Sequence, residues 1–441
     1  MGTNAEKTRV TERRRRQLVI ARMLGSAVTG QALLSAASFA VGLLLIRHTS
    51  DLQYGSFILA LSALLLIGSL QSSFLNPPLV NRMTPLARPA RGELVGGLYR
   101  DQSRVLLLGG AVAFVAAGGL WLAGVLDRST GPLVVATIAA ALAMLHRNFF
   151  RMVLLAHRRP HDVLLIDICY VALLVAGVLL AIRLPLPATG ALIAMSIAGA
   201  ISAILLARTL WRHESWDLLG AAGILREVAP LAAWSTAGAA VHWAFSQGYL
   251  YLAAGTLDVA AVAAIAATRL LVMPVNLLSS GIGTLMLPLT AGWLHYHSAG
   301  FALRRLCTLA LGLACVAFGY FAVLWWARDW VFSVVLQKQF AQRDVLLLLW
   351  GLAFFPMVVR DQLLYLLVAR QRFRQLTALA LVGAVISLVT GYVGMRQLGI
   401  LGAPLGVLVG ELIGLTGMVV LSLRQLGAHP APPADVSKVT A

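Results

Sequence analysis

The chain has 441 residues, of which 59% are hydrophobic and 12% charged, and its mean hydropathy is +0.84. That balance excludes a soluble globular domain and a disordered chain, and it defines a polytopic membrane protein. The 35 Lys+Arg residues outnumber the 17 Asp+Glu, but they lie between and inside apolar runs, so membrane topology and anionic head groups account for them and no nucleic acid is expected as a partner.

A basic tail, residues 1–22, precedes an apolar run from Met23 to Ile46 that is too long for a signal-peptide core and is read as the first span. Twelve spans follow the hydropathy: residues 23–46, 55–79, 105–126, 132–156, 163–182, 190–210, 230–252, 259–289, 306–326, 344–369, 375–395 and 402–423. The expected fold is therefore an all-α integral membrane protein of about 12 transmembrane helices, in two six-helix lobes around a central cavity. Its parts are a basic N-tail (1–22), an N-lobe (23–210), a cytoplasmic linker (211–229), a C-lobe (230–423) and a C-tail (424–441).

Loop charges set the orientation. The side shared by the two termini collects 24 Lys+Arg and the opposite side seven, which places both termini in the cytoplasm. The loop after the ninth span fits poorly, because Arg328, Lys338 and Arg343 all fall on the outer side. Within the second loop, Gly92 to Arg104 reads either as a short helix lying in the cytoplasmic interface or as an ordinary basic loop.

A weak internal repeat has a period of about 207 residues: Thr49-Ser50-Asp51-Leu52 against Thr256-Leu257-Asp258-Val259, and Leu75-Asn76-Pro77-Pro78-Leu79 against Leu285-Met286-Leu287-Pro288-Leu289.

Four arginines lie inside spans: Arg147 and Arg151 in the fourth, Arg269 in the eighth and Arg360 in the tenth. Arg269 stands about 16 Å below the polar start of its span, near the middle of the hydrocarbon, where a cation requires a wet cavity or an anionic partner. Pro274 follows it and predicts a kink beside the charge. Arg147, Arg151 and Arg158 share one helix face, so an anion would relieve their mutual repulsion. Each deep arginine is a candidate for a cavity that binds anions or, alternatively, for a structural ion pair. Arg151 also suits snorkelling to the head groups.

Buried acids are scarcer. Asp361 and Glu411 are read as coupling groups or as partners of an arginine, and Asp167 lies near the start of the fifth span. His242 is either a proton sensor or a helix–helix contact. Gln31, Asn76, Gln247 and Asn276 line a cavity or join helices. The three cysteines, Cys169, Cys307 and Cys315, have no metal spacing. Neither a cofactor motif nor a catalytic triad is present, so no enzyme activity is expected.

Span eight carries A-x-R-L-x-x-x-P at Ala267 to Pro274 and G-T-L-x-L-P at Gly283 to Pro288. It resembles the corresponding helix of flippases in the multidrug/oligosaccharidyl-lipid/polysaccharide (MOP) exporter superfamily. Gln31 to Val80, with the turn Tyr54-Gly55-Ser56-Phe57, is similar to the start of its Wzx-type polysaccharide flippases. The resemblance implies a bacterial inner-membrane protein that translocates undecaprenyl-diphosphate-linked oligosaccharide by alternating access, with membrane lipids, a polysaccharide polymerase and export machinery as partners. It also implies that Arg269 helps hold the pyrophosphate. From their charge and depth, Arg147, Arg269 and Arg360 are expected to form the cationic floor of the cavity, with Arg151 among the substrate-binding candidates. A cation-coupled multidrug antiporter and a lipid II flippase of the same superfamily remain the alternatives.

Overall fold

The computed structural model describes residues 25–26, 28–83, 86–213, 216, 223–424 and 426. The N-tail, part of the expected linker (214–215 and 217–222), nearly all of the C-tail and the side chain of Asn276 lie outside the described residues, and with them the expectation about where the termini sit.

Twelve long helices appear among the described residues: α1 (Val28–His48), α2 (Asp51–Met83), α3 (Arg88–Leu122), α4 (Thr130–Ala156), α5 (Pro160–Ala181), α6 (Pro187–His213), α7 (Ile224–Thr256), α8 (Val259–Tyr296), α9 (Ala299–Trp326), α10 (Arg343–Ala369), α11 (Phe373–Leu398) and α12 (Gly402–Arg424). Local chemistry sets several boundaries. The Asp258 carboxylate accepts from the Ala261 N–H at 2.6 Å and caps α8. The Ser298 hydroxyl accepts from Phe301 N–H and caps α9. Pro160 and Pro187 open α5 and α6, where a missing N–H costs nothing.

Helices α4, α5 and α6 pack together, with α2 and α3 against α4. In the second half α10 contacts α8, α9 and α12, while α11 contacts α7 and α12. The twofold repeat is visible in the backbone as well as in the sequence. Asp51 and Asp258 each open the second helix of a half. Arg158 and Gln371 each take a left-handed conformation (φ 59° and 56°) just beyond the fourth helix of a half. The chain closes the same way at both places: Arg159 N–H donates to Leu154 C=O and Arg372 N–H to Leu367 C=O, both at 3.0 Å.

The halves meet along α2, which contacts both α7 and α8. Trp243 Nε1 donates to the Ser62 carbonyl, Tyr251 Oη to the Leu59 carbonyl and Ser235 Oγ to the Ser73 carbonyl. A Cβ on Gly55 would fall 2.0 Å from the Val259 carbonyl oxygen, so only glycine permits that approach of α2 to α8. The largest apolar cluster crosses this junction and includes Leu45, Tyr54, Phe57, Tyr249, Ile265 and Trp350.

One sequence expectation changes. Gly92–Arg104 is not a separate interfacial helix; it belongs to the 35-residue α3, and Val95 and Leu98 are buried in a second apolar cluster with Phe149 and Phe150. Separately, α8 is assigned helical from Val259 to Tyr296, 38 residues that include Pro274 and Pro288. The basic loop after α9 is neutralised: Arg343 pairs with Asp329, Arg328 with Asp344 and Lys338 with Asp51. Within that loop Phe332 and Leu336 are fully buried in the junction core.

Candidate functional site

The charged side chains inside the helices form three separate constellations. In the first half, Arg147 of α4 is 2% exposed, and its Nη2 lies 2.5 Å from Oδ1 of the fully buried Asp167 on α5. Its Nε donates to Ser202 Oγ of α6 at 3.1 Å, and its guanidinium carbon stands 4.0 Å from the Tyr170 ring centroid. Arg151, one helical turn further on, places Nε 3.1 Å from Oδ2 of the same carboxylate. Two guanidiniums thus share one carboxylate, a formal sum of +1. Arg147 is enclosed and saturated, so it does not face a hollow. Arg151 retains an accessible edge, its side chain being 21% exposed.

In the second half, Arg360 of α10 sits between two acids. Its Nη2 is 2.8 Å from Asp361 Oδ1 and its Nη1 is 2.6 Å from Glu411 Oε2 on α12. The Glu411 contact is a close ion pair without hydrogen-bond alignment. One cation against two carboxylates gives a formal sum of −1 when both are ionised, opposite in sign to the first half. Arg360, Asp361 and His242 line a cavity of about 260 Å³, closed by Phe245, Gly410 and Gly414. Asp361 thus pairs with Arg360, the residue directly before it, although neighbours on a helix point about 100° apart.

Arg269 of α8 differs from both. Its Nη1 donates to Tyr249 Oη at 2.7 Å and to the Ser246 carbonyl at 3.1 Å, and the guanidinium faces the Tyr249 and Trp350 rings at 5.5 Å each. It has no acidic partner among the described residues, and its Nε is buried without an acceptor. Trp350 Nε1, on the facing ring, is likewise buried and unpaired.

The structure does not gather Arg147, Arg269 and Arg360 into one floor. Among the other sequence candidates, Gln31 and Asn76 are exposed, Gln247 is half-buried and His242 opens on the second-half cavity. Residues that the sequence reading did not single out complete the sites: Tyr170, Ser202, Tyr249 and Trp350. Tyr170 lies three residues after Asp167 on one helix face, so helical spacing could have found it. Nothing in the sequence connects Trp350 to Arg269.

By sequence, the chain matches no family model and no curated protein. By structure, it has the fold of MOP-type exporters. An inward-facing multidrug resistance MATE family transporter of the MOP superfamily superposes with a TM-score of 0.70 at 13% identity, covering 92% of this chain and 98% of the other. The lipid II flippase MurJ, in an inward closed conformation, gives 0.74 at 10% identity, covering 92% and 89%. An outward-facing conformation of a MATE family transporter gives 0.59 at 14% identity, covering 92% and 95%.

Proposed function

We propose that this chain translocates a polyprenyl-diphosphate-linked oligosaccharide across the bacterial inner membrane for polysaccharide export, by alternating access between its two halves. The observation that carries the reading is Arg269, a guanidinium deep in a membrane helix that is held by a carbonyl, a hydroxyl and two rings rather than by a carboxylate. A cation there costs several kcal/mol unless an anion or water reaches it. A diphosphate supplies that anion and offers oxygens to the fork of an arginine. Arg151, with its free edge, is a second contact for the head group. Arg147 and Arg360 hold these positions in place through their acids. In this reading the glycan crosses between the halves as they alternate, and the prenyl chain stays in lipid.

Reconstituted vesicles with a fluorescent polyprenyl-diphosphate sugar test this directly. Arg269→Ala should abolish translocation and Arg269→Lys should retain part of it, at equal protein level. Undiminished translocation by Arg269→Ala would overturn the proposal.

One observation favours a second reading, cation-coupled export of organic cations: the acid excess at Asp361 and Glu411 beside an open cavity. In that case a cationic dye would accumulate against a proton or sodium gradient, and Glu411→Gln would stop it while Arg269→Ala would not.

A further inference from the structure

One corner of the second half carries cations with nothing to balance them. Residues 292–306, 363–379 and 415–426 contain no Asp or Glu. They converge in space: Leu303 packs against the cluster of Ala302, Leu306 and Leu366, and also against that of Leu363, Leu367 and Met418, while Leu426 approaches Gly300. The α8–α9 turn, the α10–α11 turn and the end of α12 are therefore one surface. Arg304, Arg305, Arg372, Arg374 and Arg424 are exposed on it, and none has an acidic partner among the described residues. At the same end of the first half the pattern differs, since Arg82 pairs with Glu227 and Arg159 with Asp162.

Apolar rings are mixed with these cations. Tyr296 is 78% and Phe373 56% exposed, and Arg305 stacks over Phe301 with 5.2 Å to the ring centroid. Rings of this kind beside helix ends sit at the boundary between acyl chains and water. A free anion would use the guanidiniums and leave the rings unexplained, whereas a lipid uses both.

We infer that this corner is a binding site for an acidic glycerophospholipid, with Arg304, Arg305, Arg372 and Arg374 on the phosphate head group and Phe373 and Tyr296 against the upper acyl chains. Clustered arginines next to membrane helices attract anionic lipids, and arginine pairs with phosphate through two bonds at once. The site is distinct from the Arg269 region and does not depend on which substrate is carried.

The purified full-length chain tests it in two ways. In native mass spectrometry, phosphatidylglycerol should bind, phosphatidylcholine should bind at least about tenfold more weakly, and inorganic phosphate should not displace the lipid. The quadruple change R304Q/R305Q/R372Q/R374Q should erase that preference, while R208Q/R212Q in the first half keeps it. On the wild-type chain, photoactivatable phosphatidylglycerol should label peptides covering 293–305 and 370–376, a readout that needs no variant to fold. Labelling elsewhere, an unchanged preference in the quadruple variant, or full displacement by phosphate alone would each overturn the inference.

Discussion

Arg147 and Arg360 occupy the same rung of the fourth helix in each half, each eleven residues before the left-handed residue that ends the helix (158 − 147 and 371 − 360). Around them the two halves diverge. α5 supplies Asp167 to Arg147, but the position 213 residues further on, Ala380, supplies only a methyl group at the edge of the cavity. Arg360 takes its acids from Asp361 and from α12 instead. The cation at this rung thus sits in an enclosed ion cluster in one half and beside a lined cavity in the other.

The closed cluster should be intolerant of losing its single acid. Asp167→Asn leaves two guanidiniums facing each other with little water, and breaking a buried pair costs about 3–5 kcal/mol. Thermal unfolding in detergent should show a larger loss for Asp167→Asn than for the double change Arg147→Met/Asp167→Asn. Equal losses would mean that the carboxylate does not hold the pair.

The second-half cluster should respond in the opposite order. Glu411→Gln leaves Arg360 paired with Asp361, so stability should stay within about 1 kcal/mol. Arg360→Gln strands two carboxylates beside a cavity and should cost about 3–5 kcal/mol. The same unfolding assay checks the order, and a more harmful Glu411→Gln would refute it.

Tyr249 should matter through its hydroxyl. Tyr249→Phe keeps the ring under Arg269 but removes the 2.7 Å hydrogen bond. Bonds to charged groups contribute about 1.5–3 kcal/mol, so translocation should fall by about tenfold or more with protein level unchanged. An unchanged rate would show that the Ser246 carbonyl and the rings suffice to orient the guanidinium.

Between α11 and α12 the backbones nearly touch. A Cβ on Gly406 would lie 2.5 Å from the Ser387 carbonyl oxygen and 2.6 Å from the Gly391 Cα. Backbone atoms cannot step aside as a side-chain tip can, so Gly406→Ala should destabilise by about 1–3 kcal/mol. Gly312, with open space at its Cβ, should accept alanine without loss.

Lys338 Nζ and Asp51 Oδ1, 2.7 Å apart, tie the α9–α10 loop to the first turn of α2. Both side chains are partly exposed, and such pairs contribute about 0.2–1 kcal/mol. If the halves alternate as proposed, Lys338→Ala should therefore shift the open population at this end by no more than about fivefold, measured as the distance between spin labels on Leu52 and Val334. A collapse of the closed state would place far more weight on the pair than its exposure allows.

Span number and the twofold repeat were legible because hydropathy and the Asp51/Asp258 pair report on local, periodic features. That Arg147, Arg269 and Arg360 lie inside long helices was legible for the same reason. Their partners were not. Arg147 meets Asp167 twenty residues away, Arg360 meets Glu411 on α12 and Arg269 meets Trp350 on α10, and such pairings depend on how helices are arranged around one another. The length of α3 was underestimated because its first turns mix Arg with Leu and Val, a pattern shared by surface helices and by the protruding ends of long ones.

The 33 residues of α2 and the 38 of α8 extend about 50 and 57 Å, against a hydrocarbon layer of about 30 Å. Even steeply inclined, both helices rise clear of the acyl region. A bulky hydrophilic cargo would therefore meet proteinaceous walls in the head-group zone before it reached oil, and would leave them only after the oil was behind it.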